Sequence, residues 1–198
     1  MARISRLKQA SSFSFALALV GFCVVGLSLS MWLTKDTSWV QFHLSRLGEG
    51  HELSAAIFNT SLMIAALILA MFGVRVTDEI RQRYPQESIM VSRALFIGAA
   101  VAWAGVGGFP FDQFPLTHNF FGYLQTLLMS IIMLRLKHLH KGFSQRTHAI
   151  GLMAVIMTIG LLILFHLIHM PSLVVVELTG QIFLFIWLLS MTTDLRSR

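Results

Sequence analysis

The sequence predicts an all-α integral membrane bundle of six transmembrane helices, with both termini cytoplasmic. Three observations predict it: too little charge for a water-facing surface, six apolar runs of spanning length, and a one-sided distribution of lysine and arginine. Only 12% of the 198 residues are charged while 56% are hydrophobic, and the mean hydropathy is +0.73. A soluble domain carries about 25% charged residues. Half that fraction cannot cover a solvent-facing exterior, so a lipid-facing one is expected.

The first apolar run, Ser12–Leu33, follows Arg3, Arg6 and Lys8. That basic start resembles a secretory signal, but the run exceeds the roughly 7–15 residues of a signal's apolar region and can span a bilayer, so a retained helix is expected. Cys23 is the only cysteine, which rules out an intramolecular disulfide. A lipoprotein acylation site would want a small residue before it, where Phe22 stands.

The second run is Leu53–Val74 and the third Val91–Gly108, whose Ala99–Gly108 segment is rich in small residues. Small side chains let helix backbones approach closely, which drives association in lipid. Packing is the expected role of its glycines. The fourth, fifth and sixth runs are Asn119–Leu136, Ile150–His169 and Leu173–Met191. Each is close to the 20 or so residues needed to cross the hydrocarbon core. Continuous apolar runs lack the alternation of a barrel strand, and open backbone is too costly in lipid, so all six are expected to be helices. Residues 1–198 are read as a single transmembrane domain.

Orientation follows from the basic residues. With the N-terminus inside, 13 of the 15 lysines and arginines fall on the cytoplasmic side, and only Lys35 and Arg46 fall outside. The same distribution explains the net charge of +6. The charges lie at membrane ends, where they set topology and meet anionic headgroups, and no aromatic-interleaved basic patch points to nucleic acid.

The remaining ionisable residues gather on the outer side: His43, Glu49, His51, Glu52, Asp112, His118, His166, His169 and Glu177. His166 and His169 share a face at the end of the fifth helix. Glu177 sits one turn into the sixth, within plausible reach of them across a short loop, and Gln181 continues its stripe. The fourth helix presents His118, Gly122 and Gln125 on one stripe, with Asp112 in the loop before it. Asn59 lies two turns into the second helix. If these faces converge, the bundle has a polar pocket opening toward the outer leaflet.

Three readings of that pocket stand open. The groups can pair with one another and hold the helices together by interhelical hydrogen bonds. His118, His166 and His169 with Asp112 or Glu177 supply three imidazoles and a carboxylate, a donor set that zinc accepts, and a metal-bound water could then attack an ester or amide. Ser45, His118 and Asp112 could form a nucleophilic triad, although no Gly-x-Ser-x-Gly elbow supports it.

Ser45-Arg46-Leu47-Gly48, Ile57-Phe58-Asn59, Gly108-Phe109-Pro110-Phe111-Asp112 and His118 form an ordered set. They resemble the uncharacterised bacterial and archaeal membrane family catalogued as domain of unknown function nine hundred and ninety-eight. Its similar pattern has a Ser-x-Leu-Gly loop, a Phe-Asn pair, a Gly-x-Phe-Pro-x-Asp loop and a following His. The likeness covers most of the chain; Arg46 departs from it, standing where an acidic residue is expected. The resemblance implies a six-helix protein of the bacterial inner membrane without a settled reaction, and a distant similarity to eukaryotic lipid-remodelling and autophagy proteins points toward lipid.

The expectation is therefore a lipid-handling membrane protein whose outer pocket takes a lipid headgroup, with Asn59, Asp112, His118, Gln125, Glu177 and Gln181 as ligand-binding candidates. A catalytic version would be a zinc-assisted hydrolase. A non-catalytic scaffold or regulatory subunit, docking a membrane-protein partner or a second copy of itself, is the first rival. A proton-coupled small-solute transporter is the second, against which stand the absence of inverted repeats and of mid-span breaks.

Overall fold

The computed structural model describes residues 11–85, 88–139, 142–168 and 172–196, the side chains of 137–139 excepted. Six of its helices are long and apolar enough to cross a membrane. They are α1 (Ser12–Leu33), α2 (Leu53–Arg83), α3 (Met90–Gly108), α4 (Pro115–Leu139), α5 (Gln145–Leu167) and α6 (Val174–Arg196), and among the described residues there is no strand.

Several helices run past the apolar stretches, and polar chemistry explains where they stop. α2 continues beyond Val74 because its last turns carry their own ion pair, Arg75 with Glu79 at 3.2 Å across one turn. Glu79 also accepts from the Ser12 backbone N–H at 2.9 Å and from its hydroxyl at 2.5 Å, and so caps the first turn of α1 from a neighbouring helix. Arg93 of α3 pairs with Asp78 and donates through Nε to Thr77 Oγ1 at 2.9 Å. Ser144 caps α5, and Asp194 of α6 accepts from the Ser144 N–H and the Thr147 hydroxyl. α4 starts at Pro115 because proline suits the first helical position, where its missing N–H leaves nothing unpaired.

These ties all lie at one end of the bundle. The Arg196 guanidinium stands 4.5 Å from the centre of the Phe13 ring, so the first and last helices finish together there. An even number of crossings requires that result. We refer to this as the terminal end and to the opposite one as the loop end.

Between the two ends runs one apolar core to which all six helices contribute, with Leu19, Leu69, Phe72, Phe96, Ile132, Trp187 and Leu188 almost wholly buried. Phe72 and Phe96 meet edge to face, their centroids 5.5 Å apart. Lipid tails are as apolar as leucine, so close packing rather than water exclusion holds such helices together. The glycines show how close it is. A Cβ added to Gly107 would stand 2.7 Å from the Asn59 carbonyl oxygen, a backbone atom on α2, and one added to Gly151 would stand 2.9 Å from Trp187 Nε1. Consecutive helices from α1 to α4 pack tightly, as do α5 and α6, whereas α4 and α5 meet more sparingly.

The Gly107 contact leads to a measurable contrast. Gly107→Ala should destabilise the purified protein by about 1–3 kcal/mol, since a backbone neighbour cannot move aside. Gly160→Ala, where the added methyl meets nothing within 4 Å, should be neutral or stabilising by up to about 1 kcal/mol through helix propensity. Thermal unfolding of both variants in the same detergent tests the pair.

Candidate functional site

At the loop end, the chain from Thr34 to Glu52 contains two short 3₁₀ turns, Ser38–Gln41 and Leu44–Gly48, folded back over the helices. Such a loop carries backbone groups that no helix satisfies, and each needs a partner. Side chains and backbone groups of other elements supply them. Glu177 of α6 accepts the Leu44 N–H at 2.6 Å. Asn59 of α2 donates to the Gly48 carbonyl at 2.9 Å. Asp112 accepts the Gly50 N–H at 3.0 Å, at a residue whose φ of +75° suits glycine. The Phe42 carbonyl accepts the Leu173 N–H at 2.6 Å, and Ser172 donates to Val40 at 2.8 Å.

His118 occupies the centre of this cap and is 5% exposed. Its Nδ1 lies 2.8 Å from the Phe109 carbonyl oxygen, and its Nε2 lies 2.8 Å from Ser45 Oγ. A carbonyl can only accept, so Nδ1 carries the proton. In the neutral ring Nε2 therefore presents a lone pair, and the Ser45 hydroxyl donates to it. Phe111 covers the imidazole edge to face at 5.7 Å and also contacts the His43 ring at 4.6 Å.

Beneath the cap lies a cavity of about 430 Å³ with walls from all six helices. Ser45, His118 and Glu177 stand at its top; Gln125, Thr126, Thr158 and Gln181 follow; Met129, Met133, Ala154 and Leu184 form its apolar depth. Along α4 it reaches from His118 to Met133, about 22 Å at 1.5 Å per residue. Tyr123 lines it and is 50% exposed. Gln181 Nε2 is buried and has no hydrogen-bond partner among the described residues. Gly122 also lines the cavity, and a Cβ added there would meet nothing within 4 Å among the described residues.

Of the residues singled out from the sequence, Ser45, His118, Gln125, Glu177 and Gln181 therefore border one cavity. Asn59 and Asp112 do not; they hold the loop. Asp112 bonds Gly50 rather than His118, so the group that orients the imidazole is a backbone carbonyl. Glu177 holds the Leu44 N–H rather than His166. His166 is exposed and its Nδ1 donates to Leu162 of its own helix at 2.8 Å, while His169 lies outside the described residues. Among the described residues, no group of three His, Cys, Asp or Glu stands together as a metal set. Tyr123, Thr126 and Thr158 are cavity residues the sequence did not single out; Thr126 alone had a signal, standing next to Gln125 and eight residues after His118 on the same helix.

The charged residues of the loop modulate the cap. Arg46 pairs with Asp36 at 3.4 Å and with Glu49 at 3.9 Å, and its guanidinium lies over the Phe42 ring. Burial, then the neighbouring His118 and Arg46, hold the His43 imidazole below its usual value of 6.5. Burial holds the Glu49 carboxyl above the usual carboxylate range, against the pull of Arg46.

Residues 16–194 match the family described as Protein of unknown function (DUF998), and the chain belongs to that family. No curated protein and no solved structure matches it.

Two outcomes follow from the cap. Glu177→Ala leaves the Leu44 N–H without its acceptor, at a cost of about 1–3 kcal/mol, and should speed tryptic cleavage after Arg46 while the six helices remain folded. A depressed imidazole contributes stability above the unfolded value of 6.5 and loses it as pH falls through the folded value. The loss of thermal stability below pH 6.5 should accordingly be smaller in His43→Asn than in the wild type.

Proposed function

We propose that this member of the DUF998 family is a lipid-handling membrane protein that houses a single amphiphile beneath its loop cap. The observation that carries the reading is the shape and chemistry of the cavity. Its volume falls within the range of about 300–1,000 Å³ typical of ligand sites. Its upper wall is polar and its depth apolar, the gradient that an amphiphile presents along its own length. Its reach of about 22 Å along α4 matches an extended chain rather than a compact solute. A buried polar atom left unpaired carries a penalty, and Gln181 Nε2 offers such a donor to an acceptor on the ligand.

The exposed position of Tyr123 supports entry from the bilayer rather than from water. With the arginine-rich terminal end facing the cytoplasm, as the distribution of basic residues favours, the cap faces the outer leaflet of the bacterial inner membrane. The headgroup then sits near His118, Ser45 and Glu177, and the chain extends toward Met133.

The test is the stoichiometry of co-purifying amphiphile, measured by mass spectrometry after transfer into nanodiscs of defined lipid. Gly122→Leu, at a cavity-lining position where an added Cβ meets open space, should leave the fold intact and reduce retained amphiphile several-fold. Wild-type protein that holds no amphiphile, or retention indifferent to Gly122→Leu, would overturn the reading and leave a scaffold role as the better account.

A further inference from the structure

We propose that Ser45 and His118 form a nucleophile–base pair that cleaves an acyl ester of the amphiphile held in the cavity, forming an acyl-Ser45 intermediate. This rests on the reading of the cavity as an amphiphile site and adds a reaction to it. The geometry is that of an activated hydroxyl: the base within hydrogen-bond reach at 2.8 Å, and the base itself oriented by a third group. The Phe109 carbonyl fixes the tautomer by accepting from Nδ1, so Nε2 is the basic nitrogen and faces Ser45 Oγ.

Position adds a second, independent argument. A hydroxyl that served only to brace the loop could be sealed inside the cap. Ser45 is instead half-buried on the cavity wall, where a bound group can reach it. The turn that carries it is held from two further helices, by Glu177 on Leu44 and Asn59 on Gly48. Glu177 and Asn59 are accordingly positioning residues, holding the serine against the imidazole without touching the ester.

The step balances without a cofactor. Ser45 Oγ forms a bond to the ester carbonyl carbon as its proton passes to His118 Nε2. The tetrahedral adduct collapses, the carbon–oxygen bond to the alcohol breaks, and the alcohol leaves with the proton from Nε2. Water then adds to the acyl-serine, gives a proton to Nε2, and the carboxylic acid departs as Oγ is reprotonated. A neutral carbonyl orients the imidazole but does not offset the charge of the imidazolium as a carboxylate would. Turnover should therefore be slow, and covalent trapping is the more decisive readout.

The experiment exposes the full-length protein in nanodiscs to two alkyl fluorophosphonates, one short-chain and one long-chain, and maps the modified residue by peptide mass spectrometry. The expected result is labelling at Ser45 by both, absent in Ser45→Ala and about a hundredfold slower in His118→Gln. Gly122→Leu should slow the long-chain probe and spare the short one. Thermal unfolding of Ser45→Ala in the same detergent as the wild type should show the six-helix fold intact, which separates lost chemistry from lost fold. If folded wild-type protein carries its amphiphile yet neither probe modifies Ser45, the proposal is overturned and the binding reading survives. If only the short probe reacts, the pair is nucleophilic but an amphiphile ester is the wrong substrate; the proposal falls, and the binding reading stands or falls on the retained amphiphile alone.

Discussion

A peptide group that leaves a helix inside or against a bilayer must find a hydrogen-bond partner, because lipid offers none. The long connection between α1 and α2 meets this constraint with partners drawn from nearly every other element at the loop end. Glu177, Asn59, Asp112 and Ser172 each engage a loop backbone group, and His118 joins the α3–α4 turn to the Ser45 hydroxyl. Each bond has modest net worth, about 0.5–1.5 kcal/mol. Together they specify one position for a segment that would otherwise float at the interface. The cavity exists because the loop is held across its top.

The two ends of the bundle solve different problems. At the terminal end, Glu79, Asp78 and Asp194 meet arginines, helix N-termini and hydroxyls, and so stop helices cleanly where the chain meets water. At the loop end, polar side chains are turned toward a loop and a cavity. Tight glycine contacts such as Gly107 against α2 hold α1–α4 together as a rigid wall. The sparser α4–α5 seam leaves space on the other side, and this combination leaves a chamber between the helices.

The segments that carry the family resemblance acquire a physical meaning from this arrangement. Gly48 takes the hydrogen bond of Asn59, and a side chain at Gly48 would collide with Phe58 and Asn59. Phe109 supplies the carbonyl that orients His118, Phe111 covers that ring, and Asp112 holds Gly50. Motifs far apart in the chain are thus the pieces of one cap. Arg46 fits the same frame with its positive charge, paired to Asp36 and Glu49.

The membrane character and the six helices were legible in the sequence, because both follow from composition and from continuous apolar length, which are properties of residues near one another in the chain. The packing role of Gly105 and Gly107 was legible for the same reason, whereas a Cβ at Gly108 would meet nothing within 4 Å among the described residues. The candidate site was legible only as a gathering of ionisable residues near one end. Which of them meet was decided by tertiary structure. Glu177 was within reach of His166 by spacing alone, yet it holds Leu44, since a buried carboxyl takes whatever donor the fold brings to it. Asp112 preceded His118 closely enough to suggest a pair, yet the imidazole is oriented by the Phe109 carbonyl. A backbone carbonyl has no letter in a sequence, and the cavity has none either; both arise only when loops and helices far apart in the chain close on one another.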